Sequence, residues 1–171
     1  MRLHLVDINE DLVEAWQEAF CELSEVMIHH DHILAVAENC VVSASNSHGW
    51  MEGGIDAVYR NHFGKQIEQA LQEAIARRPE KLLPVGDALV VRTGHAKIPF
   101  MIAAPTMREP GPTGSPCVLR AMRAVLRVAS ANPEVGRKVY CPGLGTGVGL
   151  VAPRAAASAM AGAYRDWKRS L

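Results

Sequence analysis

The chain has 171 residues, 49% of them hydrophobic, with 18 Lys and Arg against 18 Asp and Glu. That length suffices for one well-buried domain, and zero net charge argues against a protein that grips nucleic acid through a broad basic face. No run of about 18 apolar residues exists, and Asp7, Glu10 and Asp11 stand where a signal peptide needs an apolar stretch, so a cytoplasmic protein without a membrane span is expected.

Residues 2–8 read as a strand and residues 10–23 as a helix, with Asn9 placed to cap it. Residues 26–29 and the β-branched run 40–44 read as two further strands. Ile67, Leu71 and Ile75 recur at helical spacing within residues 55–77, which are expected as helix. Strands are expected at 88–92, 100–104 and 138–141, and helices at 115–129 and 154–167. Pro105, Pro110, Pro112 and Pro116 mark a loop between the fifth strand and its helix. The alternation predicts an α/β fold, a mixed sheet covered by helices on both faces, in a single domain over residues 1–171. Cys21, Cys40, Cys117 and Cys141 show no C-x-x-C spacing and lie in apolar surroundings, which fits reduced thiols.

The most informative stretch is residues 143–149, Gly-Leu-Gly-Thr-Gly-Val-Gly, set between the strand at 138–141 and the Ala-rich helix after Pro153. Four glycines in seven residues let backbone N–H groups approach a ligand with no side chain in the way. A helix start behind them suits phosphate. The loop is not a Walker loop, because Leu150-Val151 replaces the Lys-Ser/Thr pair. It is not a dinucleotide fingerprint either, because Val148 holds the third glycine's place. Cys141 has no Lys or Arg in the six residues after it to lower its pKa, so it reads as a core cysteine.

Residues 43–56, Ser-Ala-Ser-Asn-Ser-His-Gly-Trp-Met-Glu-Gly-Gly-Ile-Asp, also leave a buried strand and enter a helix. Ligands of open α/β sheets bind beyond the carboxyl ends of strands, so two such loops face one crevice if their strands are neighbours. Residues 41–46 followed by Gly53-Gly54-Ile55-Asp56, with Gly145 to Gly149 about a hundred residues later, resemble a macro domain, the ADP-ribose-binding module. The likeness runs from about Val26 to Tyr164.

The resemblance implies a three-layer α/β/α sandwich with a central mixed sheet and ADP-ribose between the two loops. It implies that Asn46 bonds the distal ribose hydroxyls, since an amide both donates and accepts. Gly53 and Gly54 would offer N–H groups to the distal ribose and phosphate, with Ser45 and Ile55 beside them. Gly143, Gly145, Thr146, Gly147, Val148, Gly149 and Leu150 would wrap the pyrophosphate. Asp56 and Asn46 are the candidate catalytic residues, Asp56 activating water at the distal ribose. An Asx-turn for Asn46 and a first-turn carboxylate for Asp56 are the competing structural roles.

Counted back from Asn46, His32 stands where the family carries the Asp that receives the adenine amino group. His32 or, with a one-residue shift, Asp31 would take that role, and Ile33 would offer its backbone N–H. Trp50 would supply an aromatic surface or simply pack, and Glu52 reads as a second acid/base group or a solvated carboxylate. His29, His30, Asp31 and His32 are residue types that bind metals, but strand alternation sends them to opposite faces, so neither a metal nor a cofactor is expected. The implied partner is ADP-ribose or an ADP-ribosylated protein. The implied activity is hydrolysis at the distal ribose C1″, or non-catalytic reading of the same ligand.

Overall fold

The computed structural model describes residues 1–171. Six strands, β1 (Leu3–Asp7), β2 (Met27–His30), β3 (Cys40–Ser43), β4 (Leu89–Arg92), β5 (Phe100–Ala103) and β6 (Val139–Cys141), form one sheet in the order β2-β1-β6-β3-β5-β4. The first five are parallel and β4 runs antiparallel to β5. The sheet is mixed, as expected, and every parallel strand ends on the same edge.

Alternation along β3 assigns the two faces. Cys40 and Val42 belong to the core beneath α1 (Glu10–Ala19), α5 (Ser115–Ala131) and α7 (Pro153–Arg169). Val41 belongs to the core beneath α3 (Gly54–Phe63) and α4 (Gln66–Ala76). All four β3 residues are buried, so the strand carries no polar face and its Val pair suits the centre of a covered sheet. The result is the three-layer α/β/α sandwich.

Asn9 caps α1, its side chain accepting from the Leu12 N–H at 3.3 Å. The helix expected over 10–23 stops at Ala19, and Phe20 and Leu23 instead pack into the first core from a turn. Residues 55–77 are two helices, because Gly64 between them sits at φ 97, a conformation no helix interior accepts. Interrupting a helix with Gly costs about 1 kcal/mol. Ile67, Leu71 and Ile75, all buried by the redirected α4, each contribute about 1.5–3 kcal/mol, so the break is favoured. Two single-turn helices, α2 (Ile33–Val36) and α6 (Pro133–Gly136), are too short to show a period in the sequence. No helix is long and apolar enough to cross a membrane.

Candidate functional site

A cleft of about 700 Å³ runs along the carboxyl edge of the sheet. Residues after β1, β2, β3, β5 and β6 line it. From the first loop come Ser45, Asn46, Gly53, Gly54, Ile55 and Asp56, together with Trp50 and Glu52. From the second loop come Gly143, Gly145, Thr146, Gly147, Val148 and Gly149. His32, Ile33 and Asp31 line the end at β2. The two loops therefore share one crevice because β6 and β3 are neighbours.

Leu150 lies outside this lining. It is 74% exposed at φ 56, and the loop has already turned back, with the Leu150 N–H donating to Gly147 O at 3.0 Å and the Val151 N–H to Gly145 O at 2.9 Å. Asp7 at the end of β1, Ile8 and Asn9 after it, and Thr106, Met107 and Pro110 after β5, line the cleft without having been anticipated. Asp7 and Ile8 close an expected strand, and the others follow the carboxyl end of one. Placing them needed the strand order, which no local pattern records.

The first loop is held by its own side chains. Asn46 Oδ1 accepts from the N–H groups of His48 at 3.0 Å and Trp50 at 3.2 Å, while Nδ2 donates to Trp50 O at 2.8 Å. The amide thus works as an Asx-type turn former and keeps one N–H unassigned. Glu68 Oε2 accepts the Met51 N–H at 2.6 Å, and the Met51 side chain is fully buried in the second core. Between these anchors the Trp50 ring stays 43% exposed and stacks on His48 with centroids 4.1 Å apart.

Asp56 sits in the first turn of α3 and is 5% exposed. The Ser43 hydroxyl donates to its Oδ1. Burial pushes its carboxyl up to about 6, against the lowering by the Ser43 bond, and the Glu68 charge adds to the rise. An acid with that value is half ionised near pH 6 and mostly ionised at neutrality, which suits a proton acceptor.

The second loop is held from both sides. The Gly143 N–H donates to Asp7 Oδ2 at 3.0 Å, while Asp7 Oδ1 takes the Asn9 N–H at 3.0 Å. The Thr113 N–H donates to Gly149 O at 2.9 Å, so the proline-rich segment backs the glycine loop. Asp7, Asp31, Glu52 and Asp56 line the cleft and no Lys or Arg does. An anionic ligand would therefore depend on backbone N–H groups for its partners.

At the β2 end, His32 caps α2, with Nδ1 accepting the Leu34 N–H at 3.2 Å. A neutral ring so engaged carries its proton on Nε2 and donates there. Asp31 Oδ1 accepts the His32 N–H at 2.7 Å, and its second oxygen is left as an acceptor. His29 turns to His4, with the ring nitrogens 3.0 Å apart, and His30 to Ile8 O at 3.1 Å. The histidine run is thus divided, and no three His, Cys, Asp or Glu side chains converge on a metal position.

Together the three layers and the cleft framed by the loops after β3 and β6 define an open α/β sheet protein with a ligand-sized crevice at its carboxyl edge. The family model described as Macro domain matches residues 42–160, and the chain belongs to that family. An uncharacterised protein of Aquifex aeolicus is 35% identical over 145 residues, 84% of this chain and 83% of its own length. Among solved structures, the macrodomain of Mycobacterium tuberculosis DarG superposes with a TM-score of 0.67 at 21% identity, covering 80% of this chain and 87% of that one. An Oceanobacillus iheyensis macrodomain with ADP gives a TM-score of 0.65 at 19% identity, covering 78% and 71%.

Proposed function

We propose that the cleft binds ADP-ribose or an ADP-ribose derivative and hydrolyses a bond at the distal ribose C1″. The observation that carries this is the opening of both family loops, with Asp56 between them and half ionised near pH 6, onto one cleft. The solved relative with ADP supports a nucleoside diphosphate as the ligand's core.

In this reading adenine lies at the β2 end, where Asp31 accepts the amino group and Ile33 offers its N–H. The pyrophosphate lies on the N–H groups of Gly143 to Gly149. The distal ribose meets Asn46, through its unassigned N–H, and Gly53 and Gly54. Asp56 takes a proton from water as its oxygen bonds to C1″, and the C1″–O bond to the leaving group breaks. The leaving group departs as a carboxylate or phosphate, and holding water and C1″ together supplies much of the rate. The substrate is an ADP-ribosylated protein or ADP-ribose 1″-phosphate, and the protein works in the cytoplasm without a cofactor.

A second reading, a non-catalytic reader, is favoured by the commitment of the Asn46 amide to its own loop and the tight burial of Asp56. The two separate in an assay for ADP-ribose released from an ester-linked ADP-ribosyl peptide and for phosphate from ADP-ribose 1″-phosphate. The hydrolase reading expects turnover that Asp56→Ala abolishes, with ligand affinity kept within about tenfold, worth about 1.4 kcal/mol. Binding without turnover in the wild type leaves the reader; full turnover in Asp56→Ala removes Asp56 from the chemistry.

A further inference from the structure

Zero net charge conceals a division along the chain. Residues 1–76 hold 13 Asp and Glu against 3 Lys and Arg, whereas residues 77–171 hold 15 Lys and Arg against 5 Asp and Glu. The expectation of no nucleic-acid partner rested on the sum, and a partner meets a local surface instead.

The basic half gathers on α5. One side of this helix is buried in the first core, Arg120, Arg123 and Arg127 are exposed on the other, and no acidic residue interrupts them. Their i, i+3, i+7 spacing sets the three guanidiniums in one outward stripe, about 10 Å long at 1.5 Å per residue. Arg92 joins from β4, its guanidinium 5.1 Å from the centre of the Phe100 ring, which belongs to the core beneath α5. From the turn at 84–87, Asp87 lies between two guanidiniums, 2.6 Å from Arg78 and 3.7 Å from Arg127. Glu80 lies 3.8 Å from Arg78. On the α7 side Asp166 is 2.8 Å from both Arg123 and Arg169. Six guanidiniums thus share three carboxylates, and Arg92 and Arg120 pair with none. A guanidinium carries its N–H donors in a fork, so one steadied by a carboxylate on one side keeps donors for a second anion.

Two features narrow the partner. None of the exposed large apolar side chains comes from α5, β4 or the turn at 84–87, so the face offers no anchor to a folded protein or to acyl chains. Planar forks match phosphate oxygens, and sequence-independent nucleic-acid binding needs only such contacts to the backbone. One strand of a duplex carries a phosphate about every 3.4 Å of axis, so the stripe spans about three of them. We propose that the outer face of α5, with Arg78 and Arg92 beside it, is a docking surface for the phosphate backbone of a nucleic acid. None of these arginines lines the cleft, so the inference stands apart from the ADP-ribose reading.

The test is fluorescence anisotropy of a labelled 20-nucleotide DNA strand and of its duplex, titrated with protein at rising NaCl from about 50 to 200 mM. Wild type should bind at least one of the two at low salt, with a log–log salt slope of about −3, as about three phosphate contacts require. Arg92→Glu/Arg120→Glu loses no ion pair and should weaken binding about tenfold or more, with ADP-ribose titration and melting temperature unchanged. Arg92→Ala/Arg120→Ala should weaken it about threefold, which keeps the test open if the reversed pair misfolds. Lys65→Glu, the same kind of charge reversal at the start of α4, should stay within about twofold of wild type. No binding to either DNA at about 50 mM salt, a slope near zero, or equal losses in Lys65→Glu would overturn the surface. Polyglutamate of matched charge that binds as tightly as DNA would overturn its assignment to phosphate.

Discussion

Asp56 holds its proton up to about pH 6, against an ordinary value of 3.8, because burial opposes its charge. Between those values the folded chain keeps a proton that the unfolded chain has released, so stability falls as pH rises through the window. A rise of about two units corresponds to about 3 kcal/mol at neutral pH. Asp56→Asn keeps an oxygen for Ser43 to bond but has no charge to bury. Urea unfolding should therefore show wild type losing up to about 3 kcal/mol relative to Asp56→Asn between pH 4 and pH 7; a difference that stays flat with pH would contradict the buried charge. If Asp56 is the base, turnover also rises across about pH 6 and levels off above it. At this scale the residue identities were readable, but their engagements were not. Nothing in the sequence around Asn46 says that Trp50 takes both ends of its amide, and His32 gives no sign that its Nδ1 caps a helix of one turn.

The glycine loop shows how an element divides its work between packing and ligand. A methyl group on Gly149 would lie 2.5 Å from Gly145 O and 2.8 Å from Thr113 Cγ2, whereas one on Gly147 would meet nothing within 4 Å. Gly149→Ala should accordingly destabilise by about 1–3 kcal/mol, through a backbone contact that cannot yield. Gly147→Ala should leave the melting temperature within about a degree or two of wild type yet weaken ligand binding, since its methyl points into free space beside the cleft. Thermal melting and titration of the two variants check both expectations; a stable Gly149→Ala would contradict the packing. The loop was legible because glycines crowd between a strand and a helix start. Leu150 was misplaced because the turn back at Gly147 depends on bonds to Gly145 and Gly147 that spacing does not encode.

Across the whole molecule, the cleft exists because the parallel strands end together, and a few long-range bonds fix their order. Asn39, 4% exposed at φ 69, is one of them. Its Nδ2 lies within bonding distance of the carbonyls of Glu134 at 3.0 Å, Val135 at 2.9 Å and Lys138 at 3.1 Å, joining the start of β3 to the entry of β6. Asn39→Ala strands those carbonyls and places a Cβ-bearing residue without a local bonding partner at positive φ, so denaturant unfolding should report a loss of about 3 kcal/mol. The layers and the mixed sheet were legible from the alternation of strands and helices, whereas the neighbours of β1 and β5 were not. For that reason Asp7, Asn9 and Thr106 stayed hidden. Balanced composition likewise concealed a cleft lined by four carboxylates and no Lys or Arg.

The most direct measurement is calorimetric titration of the wild-type protein with ADP-ribose, with ADP as the control that lacks the distal sugar. Micromolar or tighter binding of ADP-ribose with clearly weaker binding of ADP is the expected result. No binding of ADP-ribose at millimolar concentration would contradict it, and would leave the cleft with the family's shape and a different ligand.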